Sequence, residues 1–216
     1  MTLLSRRAAL GGTLATAALA RPAAAGDVWH SVDVTGDVPP LDFEMTDANT
    51  GKAATAADFR GKVAMLYLGY TFCPDVCPLT MGRVTDVLDR LGKQADAVRV
   101  LFVTVDPARD TVPVLRDYAA AFGPEFVGLR GDADAVARIA RRYRLAYSVT
   151  PATATTPYEV THSSAVYVFD REGKARLLVP SLASTTPDVA GTADDLRRLL
   201  DGEPRRGWLS RLLSAL

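Results

Sequence analysis

The stretch Val63-Ala64-Met65-Leu66-Tyr67-Leu68-Gly69-Tyr70 runs directly into Thr71-Phe72-Cys73-Pro74-Asp75-Val76-Cys77-Pro78. Its first half is a nearly continuous apolar run of strand length, the pattern of a strand covered on both faces. From Leu79 to Leu91 the apolar positions Val84, Val87, Leu88 and Leu91 recur at helical spacing. A second buried-type strand follows at Val98–Val105, and a helix from about Val112 to Phe122 ends at Gly123-Pro124. Strand, helix and strand in that order build a βαβ unit.

Outward from this unit, Leu41–Thr46 reads as a short strand turned at Asn49-Thr50-Gly51, and Phe126–Leu129 as another. Asp132 is placed to cap a helix carrying Val136, Ile139, Ala140 and Tyr143 on one side. After the Pro/Thr-rich loop 150–157, the runs Val160–Phe169 and Ala175–Val179 predict a hairpin with Gly173 in its turn. Asp188–Leu200 predicts the last helix. The expected fold class is therefore α/β, with a central mixed sheet flanked by helices. There is no internal repeat.

The chain has 216 residues, 48% hydrophobic and 23% charged, enough for one domain with a sizeable core. Lys+Arg and Asp+Glu both number 25, so no basic excess is available to neutralise a phosphate backbone, which argues against nucleic acid. The N-terminus combines Ser5-Arg6-Arg7, an uncharged small and apolar run from Ala8 to Ala20, and Ala23-Ala24-Ala25. This is the pattern of an export signal over residues 1–25, and the paired arginines hint at the twin-arginine route. An uncut anchor is the competing reading; the apolar run is short for a bilayer span, which favours cleavage. Either way the domain is expected outside the cytoplasm, in the periplasm. Residues 26–40 read as a linker, 41–202 as the folded domain, and 203–216 as an amphipathic tail. Trp208, Leu209, Leu212, Leu213 and Leu216 share one face of that tail. Such a face suits association with a membrane surface or packing back on the body, and the shortness of the segment favours packing.

Export makes the two cysteines, Cys73 and Cys77, informative. A bridge between them would close a loop of about five residues, too short to stabilise the fold much by constraining the unfolded chain. Their chemistry explains them better. They lie at the carboxyl end of a buried strand, where open α/β sheets place their sites. With Pro78 near the helix start and Cys77 in the first helical turn, free amides and the helix dipole would favour the Cys77 thiolate. Two thiolates four residues apart can grip one soft ion or close to a disulfide. A redox pair more often has two intervening residues.

Of the two histidines, His30 falls in the linker and is expected to be exposed, whereas His162 stands beside polar Thr161 and Ser163 at the start of a late strand. Thiolates select Cu(I) and imidazole suits either copper state, so Cys73, Cys77 and His162 make a copper set. Zinc would usually take a fourth ligand. Asp75, Tyr158 and Met81 read as a loop carboxylate, a packing aromatic and core filler. Asp106-Pro107 and Arg109-Asp110 follow the second buried strand on the same edge. They could hold the site loops or dock a partner, but capping of the next helix by Asp110 is the expectation.

Three ordered motifs carry a family resemblance: Thr71-Phe72-Cys73-Pro74-Asp75-Val76-Cys77-Pro78, then Val105-Asp106-Pro107-Ala108-Arg109-Asp110-Thr111, then Tyr158-Glu159-Val160-Thr161-His162-Ser163-Ser164 with Tyr167 and Asp170. Together they resemble the Sco/SenC copper proteins over most of residues 41–200. The resemblance implies a thioredoxin-like fold and copper, Cu(I) or Cu(II), bound by Cys73, Cys77 and His162. It further implies a metallochaperone that helps to metallate the binuclear copper centre of cytochrome c oxidase. Its partners would be the copper-centre subunit of that oxidase, other copper carriers and thiol reductants. The alternative is a thiol–disulfide oxidoreductase that uses Cys73 and Cys77 as its redox pair on copper-centre proteins. In one respect the chain departs from the family: an acidic residue often precedes the histidine there, and here the position is Thr161, which offers no carboxylate to orient the imidazole.

Overall fold

A computed structural model describes residues 28–180 and 182–202. The expected export signal and the amphipathic tail lie outside the described residues. In chain order the strands and helices are β1 (Val32–Asp33), β2 (Glu44–Asp47), β3 (Lys52–Thr55), β4 (Val63–Gly69), α1 (Val76–Leu91), β5 (Val98–Thr104), α2 (Val112–Ala120), β6 (Phe126–Arg130), α3 (Ala133–Arg142), β7 (Tyr147–Thr150), β8 (Glu159–His162), β9 (Val166–Phe169), β10 (Ala175–Val179) and α4 (Val189–Asp201).

Eight of the strands form one mixed sheet in the order β1-β10-β9-β4-β5-β6-β2-β3. β4, β5 and β6 are parallel neighbours, and β9 joins the other side of β4 antiparallel. All seven residues of β4 are buried, as its uninterrupted apolar run requires. α1 packs beside α4, and the Thr85 hydroxyl of α1 donates to the Phe122 carbonyl just beyond α2. α2 lies so close to β6 that a Cβ on Gly128 would fall 2.6 Å from Leu115 Cγ, which explains a glycine inside that strand. The Asp132 carboxylate accepts from the Ala135 amide and caps α3 as expected, an interaction of about 1 kcal/mol. At the far end of α3, Tyr143 packs against Tyr167 and Phe169 of β9. The β4-α1-β5 half and the β9-β10-α4 half together make a thioredoxin-like fold. Among the described residues, no helix is long and apolar enough to cross a membrane.

Two expectations are corrected. The stretch read as a linker contains β1, which pairs with β10 at Val32–Leu178, and the His30 and Ser31 amides donate to the buried Asp195 carboxylate of α4. The run from Val160 to Phe169 is two strands, not one. β8 pairs with β7 in a separate two-stranded sheet, and β9 pairs with β10 and β4. The period changes at the break: Glu159–His162 alternates exposed and half-buried, and Val166–Phe169 is buried throughout. The Ser163 amide donates to the Ala146 carbonyl, which ends β8 and lets the chain cross to the main sheet. This split is what delivers His162 to the site.

Candidate metal centre

β4 ends at Gly69, and the next six residues turn the chain into α1, which starts one residue before Cys77. The turn closes with the Cys73 amide donating to the Tyr70 carbonyl. Cys77 then sits in the first turn of α1, where an amide has no partner inside the helix. That amide, the one of Cys77 itself, points at Cys73 Sγ, 3.4 Å away. The helix start therefore serves the half-buried Cys73 sulfur, not Cys77 as the sequence suggested. Cys77 is fully buried, and burial pushes its thiol up to about 12, offset in part by the Tyr70 backbone.

Gly69 makes this packing possible. A Cβ there would lie 2.8 Å from the Phe102 ring and 2.9 Å from Cys77 Sγ, both inside contact distance. The Tyr67 hydroxyl donates weakly to the same sulfur from the core side at 3.8 Å. A glycine closing an otherwise bulky apolar strand is the signal in the sequence that could have marked this close approach.

His162 is the last residue of β8, and its Nε2 lies 3.1 Å from Cys77 Sγ. Its Nδ1 lies 3.0 Å from the Ser163 carbonyl, which can only accept, so the proton belongs on Nδ1 and the Nε2 lone pair faces the sulfurs. The Ser163 carbonyl thus orients the imidazole where no carboxylate precedes it; the Thr161 hydroxyl instead bonds the Ser148 hydroxyl across the β7–β8 hairpin. Tyr67 and Tyr70 meet the imidazole edge-on, each with ring centroids 5.7 Å away. Burial holds the His162 pKa below its ordinary value and keeps the ring neutral, the form that ligates metals.

The ligand atoms of Cys73, Cys77 and His162 all lie within 4.8 Å of one another. One ion placed among them is within reach of two sulfurs and one nitrogen, and that soft donor set fits copper. His30 lies apart from them, exposed beside Asp188. Met81 is buried core in α1, and Asp75 precedes the first turn of that helix without a side-chain capping bond.

The loop after β5 holds the cysteine loop in place, the alternative that ranked below helix capping. Asp110 is not the cap of α2; Thr111 holds the N-cap position, and Asp110 is fully buried. Its carboxylate accepts from the Thr71 amide at 3.0 Å, from the Thr71 hydroxyl at 2.6 Å and from the Thr104 hydroxyl. It therefore ties the cysteine loop to the end of β5. Asp106, 1% exposed, pairs with Arg109 and accepts from the Tyr158 hydroxyl at 2.7 Å. Tyr158 is thus committed to this contact and not to the metal set.

The chain is similar to known proteins. The SCO1/SenC family model matches residues 39–200. The bovine mitochondrial SCO2 homologue is 39% identical over 134 residues, 61% of this chain and 50% of that protein, so the chain spans about half the length of this curated relative. The structure of Bradyrhizobium japonicum ScoI with copper bound is 34% identical, covers 75% of this chain and 99% of that one, and superposes with a TM-score of 0.65. Yeast Sco1 with copper bound is 28% identical, covers 78% of this chain and 92% of that one, and gives 0.66. With the fold, the ordered motifs and a family match across three quarters of its length, the chain belongs to the SCO1/SenC family.

Proposed function

We propose that this chain is a copper carrier: Cys73, Cys77 and His162 hold one copper ion as cargo, and the ion passes to the binuclear copper centre of cytochrome c oxidase. The observation that carries the reading is the convergence of two sulfurs and a neutral imidazole nitrogen within 4.8 Å at the carboxyl edge of the sheet. The relatives named SCO2 and the copper-bound ScoI and Sco1 structures support it by analogy. The export pattern of residues 1–25 supports a periplasmic site of action, where the copper-centre subunit of the oxidase and other copper carriers would be met. Copper loading needs both thiols reduced, so oxidation of the pair to a disulfide removes two of three ligands and turns binding off.

A second reading has its own observation. One sulfur of the pair is half-buried and accepts from the Cys77 amide in the first turn of a helix, and the other is fully buried. That division suits thiol–disulfide exchange. Cys73 would attack a partner's disulfide and form a mixed disulfide. Cys77 would then displace the partner's second sulfur, leaving the partner with two thiols and this chain with one disulfide.

Titration of Cu(I) and Cu(II) into the reduced chain separates the two. Copper delivery requires one ion per chain and loss of tight binding in Cys73→Ala, Cys77→Ala and His162→Ala. Stoichiometric binding left unchanged by His162→Ala removes the histidine from the site, and full disulfide-reducing activity in that same variant favours the redox reading.

A further inference from the structure

Arg109 stands where three separate segments of the site meet. Its guanidinium lies over the Tyr158 ring at 4.0 Å from the centroid, over Phe72 at 4.9 Å and near Tyr70 at 5.8 Å. Its Nε pairs with the buried Asp106 carboxylate, which also holds the Tyr158 hydroxyl. Tyr70 and Phe72 belong to the loop that carries Cys73. Tyr158 immediately precedes β8, which carries His162. One side chain therefore spans the cysteine loop and the histidine hairpin.

Two features say that this bridge has a job beyond filling space. Among the described residues, β7 and β8 form a sheet of their own, with no strand pairing to the eight-stranded sheet that leads into the cysteine loop. Strand pairing therefore does not fix the distance between His162 and the two sulfurs. In addition, Phe72 is 56% exposed, so its ring is not held by core packing, and the guanidinium face is a partner for it.

We propose that Arg109 is the clasp of the metal site, a positioning residue that closes the histidine hairpin onto the cysteine loop so that the three ligands are preassembled before the ion arrives. The proposal rests on the metal-site reading above, but its first test does not need metal. A planar guanidinium is required, because it must stack on two rings while its edge bonds a carboxylate, and an ammonium cannot do both. Asp106 fixes the clasp from below, and its burial fixes Asp106.

The test uses the full reduced chain and three variants: Arg109→Ala, Arg109→Lys and Tyr158→Phe. Without metal, alkylation rates of Cys73 and Cys77 and hydrogen exchange at residues 70–76 and 158–162 report whether the clasp is shut. Arg109→Ala is expected to raise both by about tenfold, the size of effect that removing one good cation–π interaction produces. Arg109→Lys recovers less than half of that effect, and Tyr158→Phe, which keeps the ring and removes only the hydroxyl bond, gives a smaller rise than Arg109→Ala. Loaded with Cu(I), Arg109→Ala releases its ion to a competing chelator about tenfold faster, and in the Cu(II) form its thiolate charge-transfer band shifts. Thermal melting shows whether each variant is folded, and Tyr158→Phe supplies the answer if Arg109→Ala is not. Alkylation and exchange rates equal to wild type in the folded variants overturn the clasp, as does full recovery by Arg109→Lys. If the wild-type chain takes up no copper, the metal reading fails while the metal-free rates still decide the clasp.

Discussion

Gly69→Ala places a methyl group where β4, β5 and the first turn of α1 converge. The added Cβ meets Phe102 Cε2 and Cζ at 2.8 Å and Cys77 Sγ at 2.9 Å, and ordinary Cβ contacts begin at 3.4 Å. One neighbour has to retreat. Phe102 is 1% exposed and held between Tyr67 and Tyr118, with ring centroids 6.0 and 5.0 Å away, so the ring has nowhere to go. The Cys77 sulfur is the part that yields, and any shift disturbs its 3.1 Å contact with His162. Overpacking of this kind costs about 1–3 kcal/mol of stability. A ligand atom displaced by even a fraction of an ångström weakens a three-ligand site further, so a loss of copper affinity of about tenfold or more is expected on top. Urea unfolding of the reduced, metal-free chain measures the first effect, and competition with a chromophoric Cu(I) chelator measures the second. A variant within about 0.5 kcal/mol of wild type and equal to it in affinity would refute the claim that Gly69 makes room for the sulfur.

Other outcomes follow from the same geometry. The Cys77 thiol is raised from an ordinary 9.0 to about 12 by burial, so the folded chain holds its proton more tightly than the unfolded chain does. The associated stability is complete below pH 9 and falls as pH rises towards 12, with a slope of up to about 1.4 kcal/mol per unit. Urea midpoints of the reduced protein just below pH 9 and near 10 should therefore diverge from those of Cys77→Ala; parallel lines would remove the buried thiol as the cause. Asp110→Asn leaves one carbonyl oxygen to serve donors from Thr71 and Thr104, and should cost about 1.5–3 kcal/mol in the same unfolding assay, with faster hydrogen exchange at Thr71. If Asp110 were only a helix cap, exchange would rise at the start of α2 instead. Among the described residues the buried Tyr118 hydroxyl has no hydrogen-bond partner, so Tyr118→Phe should be neutral or raise stability by about 1 kcal/mol; a clear loss would mean the hydroxyl has a partner in solution.

What could be read from the residues and what could not divides along physical lines. β4 and β5 were visible because a strand covered on both faces must be apolar throughout, and α3 because Asp132 and its 3.6-residue apolar stripe agree. The three candidate ligands, which the fold brings within 4.8 Å of one another, stand out in the sequence because cysteine and histidine are scarce here. β1 and β7 were not visible, because two exposed residues show no period and the four-residue alternation of β7 is too short to stand out beside the Pro/Thr-rich loop. The break between β8 and β9 was missed because Val160, Val166 and Phe169 all favour strand, and nothing local says they join different sheets. Asp110 was assigned to the helix beside it because capping is a local pattern. Its actual partner, Thr71, is 39 residues away, brought near only by the parallel pairing of β4 with β5.

The three candidate ligands are unequally supported, which matters if they hold a cargo ion. The two cysteines are fixed by the most buried parts of the fold: Cys77 by Gly69, Tyr67 and Phe102, and Cys73 by the turn from Tyr70 and the amide of Cys77. His162 stands on a hairpin outside the main sheet, whose base is closed by the Ser163–Ala146 contacts, and only its ring reaches that sheet, against Tyr67, Tyr70 and the Leu68 backbone. A cargo ion gripped equally by three rigid ligands would leave slowly, because every bond would have to break against a stiff frame. If the chain carries copper as proposed, the imidazole, standing on an element separate from the dithiol, is the ligand whose release would not require opening the core.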